Sequence, residues 1–271
     1  MRTELTSEQI TSFRENGFVI QEDFLSTDEL ETWRAAVDEA VGLRGDLRIP
    51  SVPENTDEGR DNFYNQVFIQ RVNLWQTHEQ MKHLILDPRI GEMCCTLEGI
   101  DAIRVWHDQA LIKEPWANQT SFHLDNPYWS FTSKHSISIW IALDDATQQN
   151  GCMYFIPGSH KEATGENVGI GPNMRALFGV YPQWSTRKPF IAEMKAGSCS
   201  FHNGLTAHGA GANMSNGYRR AMTCAFMPAG STFNGRQNIL SQEDLKTLKV
   251  GDSLDNDARN PLVWSKDKAA V

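Results

Sequence analysis

The chain has 271 residues, 40% hydrophobic and 22% charged, enough apolar material for a substantial core and enough charge for a solvated surface. A formal net charge of -9, without any Lys/Arg run, argues against nucleic acid or an anionic membrane as partner, because both reward basic surfaces. There is no apolar run of transmembrane length, the first five residues lack the apolar core of a secretory signal, and the five cysteines form no CxxC pair, so a cytoplasmic protein with reduced, buried thiols is expected.

The N-terminal third, about 1–100, reads as largely helical. Thr6-Ser7-Glu8-Gln9 is a capping box with Leu5 and Ile10 as its hydrophobic staple, and Ser26-Thr27-Asp28-Glu29 repeats the device with Leu25 and Leu30. The second helix is expected to end near Gly42. Between the two, Gly17-Phe18-Val19-Ile20 reads as a short strand. The polar, Gly/Pro-containing segment 44–62 predicts a long loop, and Phe63 to Trp75 predicts extended chain. Thr77-His78-Glu79-Gln80 opens another helix by the same capping logic. Asp87-Pro88 opens a further one, with Asp as cap and Pro at the first helical position.

From about residue 101 to 228 the pattern changes to short β-branched and aromatic runs: 101–113, 119–125, 136–143, 151–156, 190–194, 197–202 and 218–227. Regularly interrupted strands of this kind predict a sandwich or barrel rather than alternating βαβ units. Asn150-Gly151 is a hairpin signal. The connection 157–189 is long enough to serve as a functional lid. The extension 229–271 is polar, with one short helix expected at Ser241-Gln242-Glu243-Asp244 before an irregular tail. The whole, 1–271, reads as a single catalytic domain, mainly β, with helical additions.

Within the β region His123-Leu124-Asp125 places an imidazole and a carboxylate two residues apart. On a strand they point the same way; on a helix they diverge. A second imidazole, His208, stands in a small-residue run, His208-Gly209-Ala210-Gly211, that permits close backbone approach. Two histidines and one carboxylate are the minimal protein set for a mononuclear iron(II) site with open positions. Arg219 follows His208 by eleven residues in a strand-like run. Its guanidinium can grip a carboxylate with two parallel charge-assisted hydrogen bonds, as a metal-chelating keto acid with a distal carboxylate would require.

Together with Ser138-Ile139-Trp140-Ile141-Ala142-Leu143, Asn150-Gly151-Cys152, Pro157-Gly158-Ser159-His160 and the block from His208 to Arg219, the chain resembles the phytanoyl-CoA dioxygenase family of iron(II)/2-oxoglutarate oxygenases, from its Gly-Phe-Val-Ile segment to Pro228. The resemblance implies a double-stranded β-helix (jelly roll, cupin-like) with N-terminal helices packed on the barrel. It implies Fe(II) held by His123, Asp125 and His208, with 2-oxoglutarate and O2 as cosubstrates and the distal carboxylate on Arg219. Trp140 matches a family Trp lining the cosubstrate site. Lys113 matches a Lys common on the strand before His123, and Gln109 lies on the same strand face. His202 competes with His208, and Arg220 with Arg219, but the family spacing matches His208 and Arg219. Related halogenases lack the carboxylate at the position of Asp125, so its presence points to hydroxylation, with desaturation, epoxidation or ring rearrangement as other oxidations of the same kind, coupled to decarboxylation of 2-oxoglutarate to succinate.

The substrate is less legible. Asn126, Tyr128 and Trp129 follow the ligands directly and form a candidate pocket wall or barrel-mouth packing. Trp184 and Arg187 in the long loop are candidate contacts, as are Arg60 and Arg71 upstream. The acidic balance favours a small free metabolite over a CoA thioester. Two other readings stay open: a cupin-type metal enzyme without 2-oxoglutarate, and a non-catalytic small-molecule sensor. The oligomeric state is not expressed in the sequence.

Overall fold

The structure, a computed structural model, describes residues 1–44 and 63–269, so the loop expected at 44–62 lies, beyond Arg44, outside the described residues. Helix α1 (Ser7–Asn16) starts at the expected capping box: Thr6 accepts from the Gln9 N–H, and the Gln9 side chain returns to the Thr6 backbone. Gly17, at φ 85°, ends it in a left-handed turn open to glycine. Strand β1 (Phe18–Gln21) follows. Ser26 and Glu29 make the second reciprocal cap, and α2 spans Thr27–Arg44. It runs two residues past Gly42, which keeps a negative φ and therefore does not stop the helix.

The 63–75 segment is less extended than expected. Only β2 (Ile69–Val72) is strand; a helical turn precedes it, and a 3-10 turn at Leu74–Gln76 follows once Asn73 enters the left-handed region at φ 57°. Helix α3 (Glu79–Ile85) is capped one residue later than expected. The His78 Nδ1 accepts from the Met81 N–H, while the Thr77 hydroxyl bonds back to the Leu74 carbonyl of the preceding turn. Helix α4 (Pro88–Glu98) begins at Asp87-Pro88.

The strands β3 (Ala102–Lys113), β4 (Thr120–His123), β5 (Ile137–Ala142), β6 (Met153–Phe155), β7 (Phe190–Ala192), β8 (Cys199–Asn203), β9 (His208–Ala210), β10 (Arg219–Pro228) and β11 (Leu262–Ser265) form two antiparallel sheets. The larger runs β1-β8-β5-β10-β3-β11, with β2 also paired to β3; the smaller runs β4-β9-β6-β7. Two sheets enclosing one interior give the double-stranded β-helix. The β11 pairing corrects the expectation of an irregular tail. Its strand lies on the N-terminal half of β3, and the buried Asn260 amide donates to the Val105 and Trp106 carbonyls.

Alternation on the large sheet separates two environments. Ile137, Ile139 and Ile141 of β5 and Met222, Cys224 and Phe226 of β10 pack outward, under helix residues such as Trp33, Met81 and Met93. Burying each large apolar side chain there contributes roughly 1.5–3 kcal/mol. The opposite face, carrying Ser138, Trp140, Arg219 and Thr223, turns inward to the barrel. Strand β3 changes register against β10 between Ala225 and Phe226, the extra residue being Trp106, which packs edge-on to Phe131. The long connection 157–189 contains α5 (Ala176–Val180) and two 3-10 turns, and packs Leu177, Tyr181 and Trp184 against Phe122 and Leu124. Helix α6 (Gln242–Thr247) has the expected Ser241 cap. Among the described residues no helix is long and apolar enough to cross a membrane.

Candidate active site

His123 ends β4 and His208 begins β9, and the two are register partners across that strand pair. Their rings lie 4.3 Å apart. Each ring is fixed in the same way. The His123 Nδ1 lies 2.8 Å from the Ser121 carbonyl and the His208 Nδ1 lies 2.9 Å from the Thr206 carbonyl. A carbonyl accepts only, so both Nδ1 atoms carry the proton and both Nε2 lone pairs are free for a metal. Gly209 makes the strand approach possible: a Cβ there would meet the Thr120 carbonyl oxygen at 2.8 Å.

Asp125 arrives differently from the sequence expectation. The strand ends at His123, and Asp125 is helical in backbone (φ −79°, ψ −53°), heading a 3-10 turn over Asn126–Tyr128. The turn is anchored by the Gly204 carbonyl, which accepts from the N–H groups of Asp125 at 3.0 Å and Asn126 at 2.8 Å. The carboxylate still reaches the imidazoles: Oδ1 lies 3.5 Å from His123 Nε2 and 3.6 Å from His208 Nε2. All three potential ligand atoms fall within 4.8 Å of one another. His202 is not a member of this cluster; its Nε2 lies 3.3 Å from the other oxygen, Oδ2.

Burial pushes the His208 imidazole down to about 3, helped by the neighbouring His123, so it is neutral and ligand-competent at neutral pH. Burial alone would raise the Asp125 carboxyl, but the neighbouring His208, His123 and His202 side chains outweigh it and hold it well below the usual range. The result is one anion facing two Nε2 lone pairs, a donor set suited to a divalent metal.

Arg219 opens β10 on the inward face. It is only 2% exposed, and its Nε and Nη1 have no hydrogen-bond partner. Burial brings its guanidinium down to about 10, so it stays cationic, and it lies 5.3 Å from the Trp140 ring. A buried cation with two unpartnered donors is costly unless an anion completes it. A carboxylate presented to that fork fits. Arg220, by contrast, faces outward and pairs with Asp144 and Asp38.

These groups share one cavity of about 390 Å³, within the range of small-molecule sites. Trp140, Gln109, Tyr128 and Trp129 line it. The Gln109 Oε1 accepts from the Gln70 amide at 2.5 Å. Lys113 stands opposite Arg219 in register but is not in the lining: its Nζ donates to the Val67 and Asn118 carbonyls, and burial brings it down to about 6. Asn126 holds its own turn, accepting from the Ser133 N–H, and is likewise not in the lining.

Trp184 and Arg187 are not among the residues that line the cavity. The Trp184 indole is fully buried and donates to Glu162 at 2.9 Å, and Arg187 pairs with the same carboxylate, so both brace the long connection internally. Arg71 donates to the Gln70 carbonyl and is outside the lining, and Arg60 lies outside the described residues. The connection instead touches the cavity through Ile170, while its Asn167 and Val168 tie it to Leu124 and Tyr128.

Sequence reasoning missed Tyr64, Phe68, Gln70, His107 and Asn238 in the wall. His107 was detectable, since it shares strand parity with Gln109 and Leu111. It is buried, pushed down to about 4, and therefore neutral. The others come from segments remote in sequence and carried no local signal.

The fold and this cavity have relatives of known identity. The peroxisomal phytanoyl-CoA dioxygenase of Mus musculus is 25% identical over 238 residues, covering 82% of this chain and 68% of its own. The phytanoyl-CoA dioxygenase of Arabidopsis thaliana is 25% identical over 247 residues, covering 80% and 87%. Among solved structures, the non-haem α-ketoglutarate-dependent carbocyclase SnoK of nogalamycin biosynthesis superposes with a TM-score of 0.78 and 28% identity over 96% of both chains. Residues 13–221 match the phytanoyl-CoA dioxygenase (PhyH) family profile, a span that takes in both histidines, Asp125 and Arg219. With so much of the chain matched, the protein belongs to the phytanoyl-CoA dioxygenase family.

Proposed function

We propose that this protein is an iron(II)- and 2-oxoglutarate-dependent oxygenase of a small molecule, with His123, Asp125 and His208 as the iron ligands and Arg219 as the clamp for the distal carboxylate of 2-oxoglutarate. The observation that carries this reading is the buried, incompletely partnered Arg219 guanidinium in the same cavity as the three-ligand cluster. A cupin-type metal enzyme without a dicarboxylate cosubstrate has no use for such a cation.

Iron with 2-oxoglutarate and O2 supplies an oxidant for unactivated C–H bonds and releases succinate and carbon dioxide. The protein's own groups bind, orient and exclude. The His123 and His208 rings are held by backbone carbonyls, so their Nε2 atoms need no reorganisation to ligate. Arg219 and Trp140 set the direction of the cosubstrate. Asp125 occupies a ligand position that a halide would otherwise take, which favours hydroxylation. Trp129, Tyr128 and Phe68 supply apolar wall, and Gln109 and Asn238 supply polar contacts that orient the substrate.

Asp125 and Arg219 are the acidic and basic side chains of the described lining, and both have assigned partners in this scheme. An uncharged, ring-bearing metabolite matches such a wall better than a CoA thioester, whose phosphates need cations. Lys113, tied to two carbonyls behind Arg219, is read as a brace for that end of the cavity. The chain is read as one catalytic domain. A cytoplasmic location fits its five buried, unpaired cysteines.

The test is a succinate assay under 18O2 with iron(II), 2-oxoglutarate and a pool of uncharged cyclic metabolites. The proposal expects iron-dependent succinate, stimulated by the pool, and a product gaining one labelled oxygen. A cyclised product without label would assign instead the type of reaction named for SnoK. No succinate above the iron-free control would overturn the proposal.

A further inference from the structure

Asp125 has a weakness that its two histidine neighbours lack. Its carboxylate sits on a turn rather than a strand, and a carboxylate offers two equivalent oxygens to a metal. Something must decide which oxygen faces the imidazoles. His202 of β8 and Ser138 of β5 are register partners, directly opposite one another on the inward face of the large sheet. Both are 2% exposed. The His202 Nε2 and the Ser138 Oγ each lie 3.3 Å from Asp125 Oδ2, whereas Oδ1 faces His123 and His208. The ring of His202 is itself fixed, 4.6 Å from the His208 ring and 5.5 Å from Phe155. Gly204, whose carbonyl holds the Asp125 backbone, follows directly on the end of β8.

We propose that His202 is a positioning residue for the metal centre: with Ser138 it clamps Oδ2 of Asp125, so that Oδ1 alone is presented, alongside the His123 and His208 Nε2 atoms, as ligand. This rests on the reading of His123, Asp125 and His208 as metal ligands. A second oxygen free to swing onto the metal would consume a position that the cosubstrate or O2 needs. Two donors on one oxygen prevent this more rigidly than one, and a cross-strand pair delivers both from a single sheet. His202 acts through Asp125 and ligates nothing.

The test is manganese(II) titration of the metal-free protein by calorimetry, with apoprotein melting as the fold control. His202→Phe keeps the ring and removes the donor; it is expected to weaken manganese binding ~10–100-fold, the usual cost of losing a partner that orients a ligand. His202→Gln restores an N–H donor and is expected to recover most of that loss. Ser138→Ala is expected to weaken binding about 2- to 10-fold, the scale of one neutral hydrogen bond. Parent-like affinity in a His202→Phe protein that melts like the parent overturns the proposal. If that variant does not fold, the visible spectrum of cobalt(II)-loaded Ser138→Ala carries the test: shifted bands support the clamp, and bands coincident with the parent's overturn it. Asp125→Ala and His208→Ala are the controls for the underlying reading. Should they also bind manganese like the parent, the metal assignment itself fails rather than the clamp alone.

Discussion

Replacing Arg219 by methionine separates two roles that most active-site substitutions confound. In the cosubstrate-free protein this guanidinium is 2% exposed, with Nε and Nη1 lacking partners, so it destabilises the fold by the cost of an incompletely paired buried cation. Methionine retains the apolar stem and packs against Trp140 without that cost. The apoprotein of Arg219→Met is therefore expected to melt at the parent's temperature or a few degrees above it. Relief of about 1–3 kcal/mol, at ~2–4 °C per kcal/mol for a chain of this size, sets a ceiling of roughly 2–12 °C, which the lost cation–π contact with Trp140 lowers. Cosubstrate binding moves the other way. Truncating one partner of a buried, hydrogen-bonded charge pair costs about 2–5 kcal/mol, or roughly 30- to several-thousand-fold in the KM for 2-oxoglutarate. Arg219→Lys keeps a point charge but not the fork and should fall between. The assay pairs thermal melts of apoprotein with succinate formation over a 2-oxoglutarate titration. An unchanged KM in Arg219→Met would refute the clamp. A large loss of apo stability would refute the argument that the cation awaits a partner.

Four further outcomes follow from the same structure. Asp125→Ala should abolish succinate formation while the protein stays folded; retained turnover would remove Asp125 from the ligand set. Gly209→Ala should cost both stability and metal affinity, since its Cβ would stand 2.8 Å from the Thr120 carbonyl and force apart the strands that carry His123 and His208; unchanged metal titration would contradict this. Trp184→Phe should lower stability by about 1–3 kcal/mol through the lost bond to Glu162, without changing the KM for any substrate, and a specific KM effect would return Trp184 to the pocket. Glu98, buried at the end of α4 and bonded to Asn203, is pushed by burial from 4.5 to about 8. A carboxyl raised in the fold destabilises it progressively as pH climbs from 4.5 through 8. Glu98→Gln should thus gain on the parent across that window, by at most about 5 kcal/mol, and then plateau; a pH-independent gap would refute the assignment.

The helical N-terminus was legible because capping is local: Thr6, Ser26, Asp87 and Ser241 start helices by chemistry contained in four residues. The triad was legible because residue type and spacing are both constrained. Yet the strand argument for His123 and Asp125 holds only for the first. Asp125 leaves the strand, and its geometry comes from the Gly204 carbonyl, an interaction between segments about eighty residues apart that no local pattern encodes. The same limit explains His202. Its residue type made it a competitor for the metal and its spacing to Arg219 counted against it, whereas only the β5–β8 register shows that it meets Asp125. Trp184 and Arg187 show a converse limit: an aromatic and a cation in a long loop suggest a substrate contact, but this loop is large enough to bury its own Trp184 and Tyr181, stacked 3.9 Å apart, outside the cavity lining. The β11 strand escaped notice because its pairing is decided by the free edge of β3 rather than by its own short sequence.

The central claim is that one cavity binds iron(II) and 2-oxoglutarate together, through the triad and Arg219. Its most direct test is the visible absorption of the protein with iron(II) and 2-oxoglutarate under strict exclusion of oxygen. A weak charge-transfer band of the bidentate chelate is expected, absent without either component, lost in His208→Ala, and in Arg219→Met recovered only at much higher 2-oxoglutarate. No band from the parent protein at saturating iron and 2-oxoglutarate would contradict the claim.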